Sequence, residues 1–401
     1  MKPYASLCAI VASLAPAADW PQFRGPDSSA ISQETGLPVK WSATENVRWK
    51  ADLPGRGVSS PIIVGGKIYI TACSGYHAKW LHVVCLDKAT GARLWERQFN
   101  STGPTACHPK TNMAAPTPVT DGKNVYALFA SGDLVALDGD GNLLWCRSLS
   151  RDYGKLQNQI GLAASPVLVG QTLLVPMENA GNSYAAGIDI QTGQNKWKVA
   201  RERIVNWATP LVINVAGRID AAFATTKAIT AYDPETGALR WTHTGVSPSE
   251  VASSGRGDEG MVIVPGEHDI YALRPGAAGA TPELVWKTGK VQLDFASPVV
   301  YRGRIYSVGT IGVDCLDAKT GTALWRERLK GKHFWASPII ADGKLYIVSE
   351  DGYTNVIKLG DKPEVLATNA LGESFLATPA IADGCLYLRS DQHLFCIGGT
   401  K

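Results

Sequence analysis

An eleven-residue segment recurs along the chain and restricts the possible folds more than any other feature. Each copy has a small residue, Asp two positions later, Thr-Gly at positions six and seven, and Trp at position eleven. The Asp side chain can cap the N–H groups of a turn that the glycine closes with a positive φ, and strands flank the turn. One hairpin cannot bury the indole, so successive copies must stack on one another. Four copies match the pattern and the last one given is one residue shorter: 85–95, 187–197, 231–241, 315–325 and 136–145.

A second recurring motif gives the number of repeat units. This marker is Ser or Thr followed by Pro at the start of an apolar run, and it occurs at Ser60, Thr117, Ser165, Thr209, Ser297, Ser337 and Thr378. Ser253-Ser254 takes its place once, which gives eight markers. They are roughly 40 to 57 residues apart, the spacing of propeller blades with four short strands each. The sequence therefore predicts an all-β fold, an eight-bladed β-propeller of four-stranded antiparallel blades.

The two ends of the chain predict how the ring closes. The eighth unit, from Thr378 to about Gly398, ends before it reaches a Trp strand. A matching strand with Trp49 in it, residues 46–53, precedes Ser60 near the other end of the chain. We expect this N-terminal strand to complete the last blade, because closure removes the open edges of the first and last sheets.

The N-terminal residues differ from the rest in composition. Residues 1–18 combine Lys2, an apolar run and a small-residue stretch, and predict a secretory signal peptide, with an irregular cytosolic N-terminus as the alternative. The residues before Cys8 do not match a lipoprotein signal. Residues 19–45 predict an extended arm packed on the ring by Trp20, Phe23 and Trp41, ahead of a single propeller domain over 46–398. A periplasmic or secreted monomer follows, without a membrane span.

Charge and short motifs exclude several functions. Lys and Arg number 39 and Asp and Glu 36, for a net charge of +3, and no basic stripe predicts a nucleic-acid partner. The chain contains no nucleophile elbow, no metalloprotease motif, no phosphate loop and no ligand spacing of a structural zinc site. Nucleophilic catalysis therefore has no candidate residue in the sequence.

Cysteine pairs are possible in an oxidising compartment. Cys385 and Cys396 would face each other if Ser390-Asp391 is a two-residue hairpin loop, and Cys73 with Cys85 is a second candidate. The alternative is packing, because a small residue is required at the repeat position that three of the cysteines occupy: Cys85, Cys315 and Cys396.

The repeat resembles the tryptophan-docking repeat of the pyrroloquinoline-quinone (PQQ) propeller superfamily, which includes the quinoprotein alcohol dehydrogenases and the BamB propellers. The opening Trp20-Pro-Gln-Phe-Arg-Gly-Pro26, followed by Gly36-Leu-Pro38, is similar to that of exported bacterial PQQ-binding-like propellers. The resemblance covers residues 19–398. The resemblance is specific for the fold but not for the function, because the superfamily has catalytic and non-catalytic members.

Candidate site residues lie where each inner strand begins. Loops before the inner strands build the mouth of a propeller channel, which is the usual functional surface. The residues just before the Ser/Thr-Pro markers include three large aromatic side chains, Trp207, Phe295 and Trp335. Polar residues expected near them are Arg56, Asn112 and His333. These six residues are the predicted ligand-binding mouth.

The resemblance to PQQ dehydrogenases implies one function for this mouth. Asn206, Glu250 and Asp294 would hold Ca²⁺ through oxygen atoms, Asp294 would act as the general base, and Trp207 or Trp335 would stack on PQQ. The chain departs from that pattern, since it has no adjacent cysteine pair and no haem-binding motif and is shorter than those enzymes.

Non-catalytic binding is the function that the sequence favours. In this interpretation the protein is a scaffold in the bacterial envelope and needs no cofactor. The aromatic residues then either plug the channel or receive a protein partner, a peptide or a small polar ligand. A PQQ- and Ca²⁺-dependent alcohol or sugar dehydrogenase is the alternative.

Overall fold

The structure is a computed structural model that describes residues 19–158, 161–249, 251–257, 260–267, 269–289, 291 and 293–398. Its strands form eight four-stranded sheets, and neighbouring strands are antiparallel in each. This confirms the predicted eight-bladed β-propeller. The predicted signal peptide and Glu250, a predicted metal ligand, lie outside the described residues.

Strands are numbered in chain order, beginning with β1 (Val47–Asp52). Blades one to four each use four consecutive strands, from the channel outwards. Blade one has β2 (Ile62–Val64), β3 (Lys67–Ser74), β4 (Trp80–Asp87) and β5 (Arg93–Asn100). Blade two has β6 (Val119–Thr120), β7 (Asn124–Leu128), β8 (Asp133–Asp138) and β9 (Leu143–Ser148). Blade three has β10 (Val167–Val169), β11 (Thr172–Met177), β12 (Tyr184–Asp189) and β13 (Asn195–Ala200). Blade four has β14 (Leu211–Val215), β15 (Arg218–Thr225), β16 (Ala228–Tyr232) and β17 (Leu239–His243).

The second half of the ring follows the same order. Blade five has β18 (Gly255–Arg256), β19 (Val262–Pro265), β20 (Ile270–Arg274) and β21 (Glu283–Thr288). Blade six has β22 (Val299–Tyr301), β23 (Arg304–Gly309), β24 (Gly312–Asp317) and β25 (Ala323–Arg328), and blade seven β26 (Ile339–Ala341), β27 (Lys344–Val348), β28 (Tyr353–Lys358) and β29 (Glu364–Ala370). Blade eight has β30 (Ala380–Ala382), β31 (Cys385–Arg389) and β32 (His393–Ile397). A 3-10 turn (Tyr76–Ala78) and the short helix α1 (Leu149–Tyr153) lie in connections.

The ring closes through its N-terminal strand, as predicted. β1 pairs antiparallel with β32, and the sheet order β1-β32-β31-β30 makes blade eight from both ends of the chain. A buried arginine fastens the seam to blade one. Arg389 donates to the carbonyl oxygens of Ser59 at 2.8 Å and Thr71 at 2.7 Å. Gly57 leaves room for it, since a Cβ there would lie 1.6 Å from Nη2 of Arg389.

A chain of hydrogen bonds joins the inner strands around the channel. The backbone N–H of each marker Ser or Thr donates to the hydroxyl of the marker residue in the next blade. Seven successive junctions, from Ser60 in blade one to Thr378 in blade eight, have this bond at 2.9–3.1 Å. A hydroxyl is therefore needed at this position, because each buried N–H requires an acceptor.

The recurring Trp docks on the turn of the following blade. Trp145 donates its Nε1–H to the carbonyl oxygen of Ile190 at 2.9 Å, and a Cβ at Gly193 would lie 2.7 Å from its ring. Trp241 differs and donates to Oδ2 of Asp220 in its own blade at 2.8 Å. The docked arrangement also pairs Trp49 with Gly91, Trp95 with Gly141, Trp197 with Gly237 and Trp286 with Gly321.

Residues 19–45 cross the end of the channel opposite the loops that precede the markers. Phe23 lines the axial cavity, and Arg24 donates to the carbonyl oxygen of Pro298 in blade six at 2.5 Å. Trp20 and Trp41 are buried. Backbone hydrogen bonds join this segment to the inner strands of blades one, two and seven: Trp20 with Ile63, Pro21 with Thr120, and Ala30 and Ser32 with Ile340.

The cysteine prediction is wrong in register. Ser390 N donates to the carbonyl oxygen of His393 at 2.9 Å, so the two-residue loop is Asp391-Gln392 and Cys396 faces Tyr387. The thiols of Cys385 and Cys396 are nevertheless neighbours and share a hydrogen bond. In blade one Cys85 faces Tyr69, and all seven cysteines among the described residues are free thiols. Packing explains the repeat position, because its residue lies opposite the docked Trp: Cys85 opposite Trp95, Cys315 opposite Trp325 and Cys396 opposite Trp49.

The docking of Trp on glycine predicts different costs for two Gly→Ala changes in blade four. Gly237 and Gly217 both have positive φ, but only at Gly237 would the new Cβ meet an indole, that of Trp197 at 2.7 Å. We expect Gly237→Ala to lower the free energy of unfolding by about 1–3 kcal/mol more than Gly217→Ala, the usual cost of overpacking. Denaturant melts of both variants would measure the difference, and equal losses would show that docking does not contribute.

Candidate functional site

The residues before the inner strands line a cavity on the propeller axis. This axial cavity has a volume of about 140 Å³, with the marker hydroxyls in its wall and Phe23 at the end away from the mouth. Because the N-terminal arm crosses that end, the cavity opens at the mouth. Trp207, Phe295 and Trp335 all line it, together with Val58, Ala115, Ala163, Val251 and Leu376 from the other blades.

Two of the aromatic residues form a stacked pair. The rings of Phe295 and Trp335 are nearly parallel, with centroids 4.0 Å apart and an interplanar angle of 6°. Phe295 is 38% exposed, which is high for a phenylalanine. Trp335 donates Nε1–H to Oε2 of Glu350 at 2.7 Å, whereas Trp207 donates to the carbonyl oxygen of Gly161 at 2.7 Å. The pair is therefore a fixed apolar platform with one accessible side.

The connection between blades one and two covers part of the mouth. This mouth loop (residues 101–118) places Lys110 and Thr111 on the wall of the axial cavity. Lys110 forms an ion pair with Glu350 in the β27–β28 connection of blade seven. Arg56 pairs with Asp391 at 2.9 Å, and its Nη2 lies 3.4 Å from the carbonyl oxygen of Pro109 in the mouth loop. Charged side chains thus hold the loop against the ring.

Asn112 is a buried residue of the mouth loop. Its side chain is buried, and Oδ1 accepts from the N–H of Ala114 at 2.9 Å. Further along the loop, the carbonyl oxygen of Met113 accepts from Ala130 N at 2.9 Å. The Met113 bond attaches the loop to blade two, and the Asn112 side chain shapes the turn beside it, in the loop that carries Lys110.

Glu350 and Asp294 differ in protonation behaviour because their partners differ. Burial raises the pKa of Glu350, but hydrogen bonds from Lys110 and Trp335 and the nearby His333 outweigh it and hold that pKa below its ordinary value. Burial also raises the pKa of Asp294, and there it prevails over His333 and the N–H of Phe295. Glu350 is therefore the ionised carboxylate that faces the mouth loop at neutral pH.

Asp294 lines a second pocket, off the axis between blades four, five and six. This pocket has a volume of about 410 Å³ and shares Phe295 and Val251 with the axial cavity. The stacked pair thus lies at the boundary of the two spaces. The other residues on its wall are mainly small or polar: Thr226, Ser247, Pro248, Ser249, Gly266, Glu267 and Leu293.

Asn206 has a different environment from Asp294. It is buried, and Nδ2 donates to Oε2 of Glu178 at 2.6 Å and to the carbonyl oxygen of Ala224 at 2.8 Å. Glu178 is itself neutralised by Arg201 at 2.8 Å, inside the protein. Among the residues that the structure describes, no group of three or more His, Cys, Asp and Glu side chains could hold a metal ion. Oδ1 of Asn206 is buried without a hydrogen-bond partner among the described residues, and Asp294 lies in the off-axis pocket. The Ca²⁺ site of Asn206, Glu250 and Asp294 stays a prediction.

One polar chain in blade one could not be recognised from motifs. Oγ of Ser74 lies 2.7 Å from Nε2 of His82, and Nδ1 of His82 lies 2.8 Å from Oε1 of Glu96. The order hydroxyl, imidazole, carboxylate is that of a catalytic triad. His82 is only 3% exposed, and the chain connects β3, β4 and β5, so its evident effect is to satisfy a buried imidazole. Strand register, which places His82 opposite Ala72 and Glu96 opposite Val84, is the signal that would have found it.

Trp-docked blades, an axial channel and an aromatic mouth define the class of PQQ-like propellers. A family model described as outer membrane protein assembly factor BamB matches residues 22–199, 155–278, 267–362 and 312–397. This chain belongs to that family. It is 25% identical over 354 residues to the outer membrane protein assembly factor BamB of Burkholderia pseudomallei (strain K96243), across 74% of this chain and 83% of that protein.

Solved structures share the fold at low sequence identity. A europium-containing methanol dehydrogenase has a TM-score of 0.73 and 13% identity and covers 94% of this chain and 90% of its own. BamB from Moraxella catarrhalis has a TM-score of 0.63 and 16% identity, with 87% and 96% covered. The quinohemoprotein alcohol dehydrogenase of Comamonas testosteroni has a TM-score of 0.68 and 13% identity, with 96% and 81% covered. At these identities the likeness shows the fold alone.

The lowered pKa of Glu350 predicts an acid-sensitive clasp of the mouth loop. A carboxylate whose folded pKa is depressed contributes stability above its ordinary value of 4.5, and that contribution is lost as the pH falls through the lowered value. We expect the thermal midpoint of the wild type to fall more steeply with acid than that of Glu350→Gln, which keeps an acceptor for Trp335. Melts between pH 6 and pH 3 would measure both slopes, and parallel curves would contradict the clasp.

Proposed function

We propose that this protein is a non-catalytic binding module of the bacterial envelope, and that a segment of a partner protein enters the channel mouth. The observation that carries the proposal is the stacked Phe295–Trp335 pair, an exposed aromatic platform on the wall of a cavity that the arm closes at its other end. Aromatic anchors in a pocket with a polar rim are typical of the centres of protein interfaces. Here Lys110, Glu350 and Arg56 supply the rim.

Family membership supports a partner in the envelope. The curated relative is named as an assembly factor for outer membrane proteins, and we propose that this chain likewise engages an envelope protein, as a monomer in the periplasm or outside the cell. A signal peptide at residues 1–18 belongs to the same proposal. No helix among the described residues has the length and apolar character to cross a membrane.

Dehydrogenase activity is the second candidate, on the ground that two of the similar structures are dehydrogenases by name. The sequence departs from the pattern of such enzymes, since it has no adjacent cysteine pair and no haem-binding motif. Asn206 donates from Nδ2 to Glu178, and Glu178 pairs with Arg201. We therefore propose that the protein works without a cofactor, and we derive no redox step.

Calorimetric titration with PQQ tests the choice between the two functions. We expect no binding heat with or without Ca²⁺, because the chain lacks the adjacent cysteine pair and the haem-binding motif of the dehydrogenases. Micromolar binding that requires Ca²⁺ and is lost in Asp294→Ala would favour the dehydrogenase. Phe295→Ala serves as the matched control, since it alters the same pocket but removes no oxygen ligand.

Site-specific photo-crosslinking tests the binding function. A benzophenone amino acid at position 295 should capture an envelope protein in the native host, and the adduct should be lost when Trp335→Ala removes the stacked platform. The same amino acid at Leu239, which is 63% exposed on the outer strand of blade four, should give no such adduct. Equal capture from both positions, or capture from position 239 alone, would contradict binding at the mouth.

A further inference from the structure

Lys110 reaches from its own loop to an acceptor in another blade. It belongs to the connection between blades one and two, yet its ammonium is paired with Glu350 of blade seven. On the way it lines the axial cavity, beside Trp335 and Phe295. The cation on this side of the mouth therefore comes from the mouth loop, whereas its carboxylate partner comes from blade seven.

The acceptor for this cation is fixed by its surroundings. Oε2 of Glu350 accepts the indole N–H of Trp335 at 2.7 Å, and the backbone N of Glu350 donates to the carbonyl oxygen of His333 at 2.9 Å. The other carboxylate oxygen, Oε1, is the one that meets Lys110. A positioned carboxylate next to aromatic rings is the chemistry that recognises an ammonium or guanidinium group.

Other charges near the mouth are already paired or turned to the backbone. Arg56 is paired with Asp391, and Asp351 accepts from Lys332 N at 2.9 Å and from the Ser349 hydroxyl at 2.7 Å. His333 lies near both Asp294 and Glu350 and acts to lower the pKa of each carboxyl group against the effect of burial. Glu350 is the carboxylate that pairs with Lys110 of the mouth loop.

Another cation can replace Lys110 in the ion pair with Glu350. The side chain of Lys110 is 41% exposed, and an exposed ion pair shifts an equilibrium by only about 1.4- to 5-fold. The second attachment nearby, from Arg56 to the carbonyl oxygen of Pro109, is long at 3.4 Å. An incoming cation could displace Lys110 while Met113 of the loop stays attached to blade two.

We infer that the Glu350–Trp335–Phe295 site recognises a lysine or arginine side chain of the partner protein, and that Lys110 occupies this site in the free protein. The inference rests on the proposed function and specifies it. The recognised class is a basic peptide segment, with the cation at Glu350 and the adjoining apolar atoms on the aromatic pair. Lys110 is then a competitor within the same chain, which lowers the affinity for weakly basic segments.

The probe is octalysine acetylated only at its N-terminus, so that all eight side chains keep their charge. It is titrated calorimetrically into the full protein, with octaglutamate as the anionic control. Lys110→Ala should tighten octalysine binding by about two- to fivefold, because the internal competitor is gone. Lys110→Arg should bind as the wild type does. Glu350→Gln should lose binding in both backgrounds. Lys123→Ala, an exposed lysine in the β6–β7 turn, is the matched control and should change nothing.

The outcomes separate this inference from the proposed function. Unchanged or weaker octalysine binding in Lys110→Ala, or binding that survives Glu350→Gln in a protein with an unchanged circular dichroism spectrum, would overturn it. If position 295 still captures an envelope protein in that case, the mouth is a binding site for another chemistry. If octalysine behaves as expected but position 295 captures nothing, the cation site stands and the envelope partner does not.

Discussion

A tryptophan indole on the outer strand of one blade is covered by the turn of the next blade, where a glycine leaves room for it. Trp145 over Gly193 is one case, and a Cβ at that glycine would lie 2.7 Å from the ring. No such blade is complete alone, since its largest apolar group depends on its neighbour. The hydroxyl chain from Ser60 to Thr378 repeats this dependence at the channel, because each marker N–H finds its acceptor in the following blade.

Closure of the ring follows from the same dependence, and the arm that precedes the closing strand makes the two ends of the channel different. β1 supplies Trp49 for blade eight, and Arg389 fastens that blade to Ser59 and Thr71 of blade one. The arm ahead of β1 then crosses one end of the axis, with Phe23 in the cavity. A ring of equivalent blades thereby acquires one open end, where the connections differ most in length.

The mouth is where this chain departs from its own repeat. Most blades place a small or aliphatic residue at the wall, whereas Phe295 and Trp335 of adjacent blades stack at 4.0 Å. Of the residues that resemblance to the dehydrogenases singled out, Asn206 donates from Nδ2 to Glu178, and Asp294 lies in the off-axis pocket. A channel mouth with an accessible aromatic pair is suited to association with another chain.

Sequence alone determined the number of blades, the closing strand and the three aromatic residues that line the axial cavity, because the Trp and Ser/Thr-Pro markers recur at regular spacing and each reports a local strand position. Only the tertiary structure decided which side chains meet. The hairpin before Cys396 is shifted from the predicted register, Asn206 turns to Glu178, and Lys110 crosses to Glu350. These contacts join segments far apart in the chain through connections without repeats, and their geometry depends on how the whole ring closes.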